Sequence, residues 1–246
     1  MSLLTDSLNQ IQTWLETNYP LAAESITPGL TLSEIESKIE TLPFSLPNEF
    51  YELYQWSRGN SFGTPTIYTG IFDTFDGMAL NTLEYAMEVF PDFVDEEFEE
   101  CAVDYIGKPL FPIFGTDATY LCIVGDWEEK TPSPIVYVSD LRETSHKFVS
   151  LTTMLKTVAE SIQVNALNFN TKTYNNWDEK KYAEIYLKYN SNILKLSVNR
   201  LKQQLLIAQP DSIGEELAEN SFREDIGHLE MEKTKLSQQT ARFGNS

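Results

Sequence analysis

The chain has 246 residues, 41% of them apolar and 12% aromatic, enough apolar surface to offset the entropy of ordering one large domain or one domain with an extension. Its formal net charge of −19 repels nucleic acid and anionic membranes and draws in basic partners, although charge of this size also serves solubility alone. The longest apolar run, Tyr120 to Val124, is far short of the roughly 20 residues that cross a bilayer, and Met1-Ser2-Leu3-Leu4-Thr5-Asp6 lacks the basic and apolar regions of a secretory signal, so a cytoplasmic chain is expected.

Leu4, Leu8, Ile11 and Leu15 recur at helical spacing and predict a first helix that ends before Pro20. Leu32, Ile35, Ile39 and Leu42 predict a second, with Thr31 or Ser33 available as its cap. A third is expected between Pro47, suited to a first helical turn, and Gly59, suited to a left-handed position past the end; Phe50, Leu53 and Tyr54 share one face, with Trp56 near its edge.

Beyond Gly63 the pattern turns to strands, with Thr66 to Phe72 rich in β-branched and aromatic residues and Asp73 to Gly77 supplying a turn. Residues Leu80 to Glu100 read as helical, capped by Asn81 or Thr82, with Leu83, Met87 and Phe90 on one face and Pro91 interrupting. Pro109 to Phe114, Tyr120 to Val124 and Ile135 to Val138 read as sheet, the last two joined by a loop suited to antiparallel neighbours, and Lys147 to Val149 adds an edge. Leu151, Leu155, Val158 and Ile162 restore helical spacing and close an α+β domain near Asn165.

The composition changes near Asn170. Residues 1–170 carry 26 acidic and 7 basic side chains, a net of −19, whereas residues 171–246 carry 11 of each. We therefore divide the chain into an α+β domain over 1–170 and a helical extension with a polar tail over 171–246. In the extension a long helix is expected over 178–208, with Leu187, Leu194, Val198, Leu201 and Leu205 on one stripe and Tyr186, Tyr189, Ile193 and Leu196 beside it. Its apolar face must be covered by the first domain or by a second copy, which would give a homodimer through residues 178–208.

The run Leu46-Pro47-Asn48-Glu49-Phe50-Tyr51-Glu52-Leu53-Tyr54, followed by the turn Arg58-Gly59-Asn60, resembles the signature of the SUKH superfamily, with the usual Asn-Gly order transposed. Pro109-Leu110-Phe111-Pro112-Ile113-Phe114-Gly115 and Tyr120-Leu121-Cys122-Ile123 look like that family's paired central strands, and Ile135-Val136-Tyr137-Val138 like the next. Phe148-Val149-Ser150-Leu151-Thr152-Thr153-Met154-Leu155 is similar to its closing helix. The resemblance covers roughly residues 25–165. It implies an α+β fold, a mixed or mainly antiparallel sheet flanked by helices, and a role in protein binding: many bacterial members look like immunity proteins that neutralise toxins, while fungal relatives are linked to regulation of cell-wall synthesis. The extension has no counterpart in the basic pattern.

Catalytic chemistry finds little footing in the residues. His146, in a loop before a strand, and His228, in the tail, are expected to be solvated, so neither an imidazole-based triad nor a two-histidine metal site is supported. Cys101 and Cys122 read as reduced thiols. No phosphate-binding glycine loop occurs, and no cofactor is implied. Carboxylates are abundant, and Asp73 with Asp76, or Asp126 with Glu128 and Glu129, could form an acid–base pair, but carboxylates this numerous usually decorate a solvated face.

The candidate partner-binding residues are Asp92, Asp95, Glu96, Glu97, Glu99 and Glu100, interleaved with Phe93, Val94 and Phe98, and the loop residues Asp126, Trp127 and Glu128. Two readings stand for the cluster: a solvated face over buried aromatics, or a docking surface where charge steers a basic partner and aromatics supply affinity. The leading expectation is an acidic protein-binding module, an immunity protein that neutralises a basic toxin. The alternatives are a housekeeping regulator or scaffold that self-associates through its C-terminal helix, and a carboxylate-based enzyme.

Overall fold

The computed structural model describes residues 2–18, 20–24, 26–59, 78–94, 108–116, 119–125, 133–139, 144–167 and 178–192. The expectations for Thr66 to Gly77, for residues 95–100 and 126–132, for the part of the extension helix over 193–208, and for the tail beyond Pro210 lie outside them.

Helix α1 (Leu3–Asn18) buries the predicted stripe Leu4, Leu8, Ile11 and Leu15. A short helix, α2 (Pro20–Glu24), follows; Pro20 stands at its first position, where a missing N–H costs nothing. Of the two cap candidates for α3 (Leu32–Ile39), Thr31 serves: its hydroxyl accepts from Glu34 N at 3.3 Å, and Glu34 Oε2 accepts from Thr31 N at 2.7 Å. The helix stops short of Leu42, whose N–H donates to Ile39 in the turn that follows.

Helix α4 (Asn48–Trp56) turns Phe50, Leu53 and Tyr54 into the core, with Pro47 at its N-cap. Phe50 meets Phe111 edge-on at a ring separation of 5.6 Å and lies 4.8 Å from Tyr54. Past the helix, Gly59 adopts φ 80° and lies against the backbone of Asn81, where a Cβ would come within 2.2 Å of the carbonyl oxygen.

The strands β1 (Ala79–Leu80), β2 (Leu110–Gly115), β3 (Tyr120–Val124), β4 (Ile135–Val138) and β5 (Thr144–Phe148) form an antiparallel meander in the order β1-β2-β3-β4-β5. Successive strand residues point to opposite faces, and Leu121, Cys122, Ile123 and Val124 are all fully buried, so β3 is covered on both. The register of β2 slips between Pro112 and Phe114, the sort of site where a residue without an N–H is tolerated in an inner strand.

Three expectations need correction here. Leu80 belongs to β1, and over the described part of the helix expected from Leu80 to Glu100 the chain forms α5 (Leu83–Val89), capped by Thr82 and followed by a 3-10 helix over Phe90–Phe93. Pro91 has no N–H to return to Met87, so the α-helical ladder cannot continue through it. The edge strand begins at Thr144 rather than Lys147, and His146 therefore lies half-buried inside β5, opposite Val136, instead of in a loop. Within the described residues the extension helix, α7 (Glu179–Asn190), is followed by turn residues Ser191 and Asn192.

Helix α6 (Leu151–Gln163) is held at both ends. Ser150 and Thr153 form a capping box, and the C-terminus closes with Asn165 at φ 55°, Ala166 N donating to Ser161 O at 2.8 Å and Asn165 N to Ile162 O at 3.2 Å. Both α1 and α7 pack against α6.

Candidate partner-binding site

Thr82 starts α5 by accepting the Tyr85 N–H at 3.2 Å, and that start fixes which way the helix faces. Leu83, Ala86, Phe90 and Phe93 go into the core, while Glu84, Glu88 and Asp92, four residues apart, stand exposed on the outer side. Like charges at this spacing weaken a helix by a few tenths of a kcal/mol per pair. Lys38 on α3 meets Glu84 at 2.5 Å and its hydrogen bond holds that carboxyl below the usual carboxylate range. The stretch of sequence around the row supplies no cation of its own: from Gly59 to Gly107 it carries eleven acidic residues and no Lys, Arg or His.

Aromatic rings adjoin the acids. Phe93 packs edge-on against Tyr120 at 5.2 Å, and the Tyr85 and Tyr120 hydroxyls lie 3.4 Å apart. Both tyrosines are half-buried. Burial, then the hydrogen bond with Tyr85 and, further down, the charge of Asp92 push the Tyr120 hydroxyl well above its ordinary range, so it stays a neutral hydrogen-bonding group at the margin of a negative face. Val94, 43% exposed, extends the apolar part outward. Half-buried tyrosines beside exposed carboxylates combine the two ingredients of a docking site: rigid apolar area and a steering field.

Of the predicted site residues, Asp92 is the one that the structure places, exposed and close enough to Tyr120 to raise its hydroxyl. Asp95, Glu96, Glu97, Glu99, Glu100, Asp126, Trp127 and Glu128 lie outside the described residues. The points from which the two predicted segments depart are separated, however. Phe93, next to Val94, packs on Tyr120 at the start of β3, whereas the loop of Trp127 leaves from Gly125 at its far end, where Gly125 N donates to Pro109 O and Phe44 closes in. At about 3.3 Å per residue, those five steps span about 17 Å.

Reading the acidic run from Asp92 onward missed Glu84, Glu88, Tyr85 and Tyr120. The signal that finds the two glutamates is the long interval without a cation, together with the four-residue repeat of Glu84, Glu88 and Asp92.

Among the described residues, Cys122 and Glu49 are respectively sequestered and structural. Cys122 is fully buried, and burial pushes its thiol well above the ordinary value, so it is a neutral core group; Cys101 lies outside the described residues. Glu49 on α4 accepts hydrogen bonds from the backbone and hydroxyl of Thr152 at the start of α6, which makes it a strut between two helices. Among the described residues no group of three or more His, Cys, Asp or Glu is arranged to hold a metal, and no helix is long and apolar enough to cross a membrane.

A model of the SMI1 / KNR4 family (SUKH-1) matches residues 29–161, more than half of the chain. The match begins at Gly29, ahead of α3, and ends inside α6, so α1 and α7 fall outside it. No curated protein matched.

Proposed function

Because the chain belongs to the SMI1 / KNR4 family (SUKH-1), we propose that it works by binding another protein, and that the face of Glu88, Asp92, Tyr85, Tyr120 and Val94 receives a basic partner. One observation carries this reading: an exposed row of carboxylates, in a stretch of chain with no cation, runs beside two half-buried tyrosines. The carboxylates raise the rate of encounter with a cationic surface, and the tyrosines give that surface something to seal against. The family is consistent with an immunity-protein-like domain. The partner we propose is a basic toxin whose active surface is occluded; for a nuclease, the row of carboxylates would occupy the place of substrate phosphates.

The experiment neutralises the face and its continuation together, Glu88→Gln, Asp92→Asn, Asp95→Asn, Glu96→Gln, Glu97→Gln and Glu99→Gln, and measures association with a basic toxin encoded by a neighbouring gene at low and high salt. The association rate at low salt is expected to fall by about tenfold or more, and its salt dependence to flatten. Unchanged affinity with unchanged salt dependence would remove the acidic face from the account. Tyr120→Ala separates the two ingredients: it should speed dissociation and leave the salt dependence as it was.

A further inference from the structure

Among the described residues β5 is the last strand of the sheet and pairs with a strand on one side only, and open edges of that kind template pairing with other chains. Along it the register steps: Ile135 faces Phe148 and Val136 faces His146, which leaves Lys147 as the extra residue of a bulge. The Tyr186 hydroxyl of α7 donates to the Lys147 carbonyl. Two residues on, the Val149 N–H donates to Asn190 Oδ1 at 3.2 Å. The spacings match, since one helical turn from Tyr186 to Asn190 advances about 6 Å and two strand residues advance about 6.6 Å.

Asn190 is wholly buried, and its amide donates to Thr157 Oγ1 on α6 at 3.1 Å and to Tyr186 O at 3.2 Å. The Tyr186 ring stands edge-on to Phe148 at 5.6 Å. Much of the remaining seat is polar: Lys188 donates to both carboxylate oxygens of Glu160, and the Tyr189 hydroxyl donates to one of them. A helix of 12 residues is marginal in water by itself, and a segment seated on few buried apolar side chains opens at low free energy. In α7 the buried residues are Ile185 and Asn190.

We infer that α7 is a releasable strap that closes the β5 edge against pairing with a second copy of the chain. Release frees the Lys147 carbonyl and the Val149 N–H and uncovers Phe148. These sit on or beside the strand Thr144-Ser145-His146-Lys147-Phe148, which has no acidic residue in a chain of net charge −19. A second copy is the occupant because it presents the same edge. Antiparallel pairing about a two-fold axis at His146 sets Lys147 across from Ser145 and Thr144 across from Phe148, so no pair of lysines meets. The strap operates whether or not the acidic face holds a partner.

The test uses the full chain with Tyr186→Phe, Asn190→Ala and both together. Hydrogen exchange is followed at Val149, with Cys122 in β3 as the core reference, and mass is read by sedimentation at micromolar concentration. The double variant should exchange Val149 at least tenfold faster, with Cys122 unchanged, and should sediment toward a dimer while the parent remains a monomer. Unchanged exchange at Val149 overturns the strap. Fast exchange in a strict monomer overturns pairing with a second copy, and a parent that dimerises as strongly as the variant overturns closure by α7. Should Asn190→Ala speed exchange at Cys122 as well, Tyr186→Phe, which keeps the ring on Phe148, decides by the same two readouts.

Discussion

Replacing Gly59 with alanine is expected to destabilise the fold by about 2–5 kcal/mol, a large part of the roughly 5–15 kcal/mol by which domains are stable. The added Cβ would lie 2.2 Å from Asn81 O, 2.5 Å from its carbonyl carbon and 2.8 Å from Thr82 N. These are backbone atoms that cannot turn aside. Asn81 N donates to Ile113 O at 3.0 Å, and its carbonyl accepts from the buried Tyr54 hydroxyl at 3.1 Å. Holding a non-glycine residue at φ 80° costs about 1–2 kcal/mol, and moving the Asn81 carbonyl away from Tyr54 leaves a buried hydroxyl unpaired at about 1–3 kcal/mol. Urea titration reads the sum as a lower midpoint at unchanged slope. A loss below about 1 kcal/mol would refute the overlap. Gly59→Asn relieves only the dihedral part, so recovery of full stability in that variant would also refute it. Gly115→Ala gives the contrast: its nearest neighbour is the Tyr120 ring at 2.6 Å, a side chain that can shift, and the loss should be smaller.

Ser150→Ala should cost about 1–2 kcal/mol in the same titration, because Ser150 Oγ accepts from Thr153 N at 3.1 Å while buried at the head of α6; Ser150→Asp should recover most of it, and equal losses in both would mean the cap is not the cause. Two carboxyls should give opposite pH trends. Burial raises the Glu49 carboxyl above its ordinary value, so its contribution is fully present below the unfolded value and is lost as pH rises through the folded one. The Lys188 hydrogen bond, then that of Tyr189, lower Glu160, whose contribution is present above the unfolded value and is lost as pH falls through the folded one. On acidification the stability difference between parent and variant should therefore move in the parent's favour for Glu49→Gln and against it for Glu160→Gln. Movement in the same direction for both would contradict the assignments.

Elements set by local chemistry were legible in the sequence. The spacing of Leu4, Leu8, Ile11 and Leu15 is sufficient to orient α1, and Thr31 with Glu34 marks a helix start. The apolar runs of β2, β3 and β4 identify strands that are buried on both faces. Features decided by tertiary partners were not legible. β5 is polar, Thr-Ser-His-Lys-Phe, and becomes a strand through its register on β4. Leu80 is drawn from an apparent helix into pairing with Phe114. At the candidate site, Asp92 could be found by charge density. Tyr120 could not, because nothing in a strand sequence says that its hydroxyl will come to rest beside Tyr85 from a helix 35 residues away.

The seat of α1 has a consequence for synthesis. Its stripe of Leu4, Leu8, Ile11 and Leu15 packs on α6, which begins at Leu151. A ribosome adding about 5–20 residues per second needs roughly 7–30 s to make the intervening chain. The strands can zip together hairpin by hairpin as they emerge, each against its neighbour in sequence. The first helix can meet α2 and α4 early, but its cover from α6 comes late, and through that interval the part of its stripe that α6 will bury is the surface a chaperone would find.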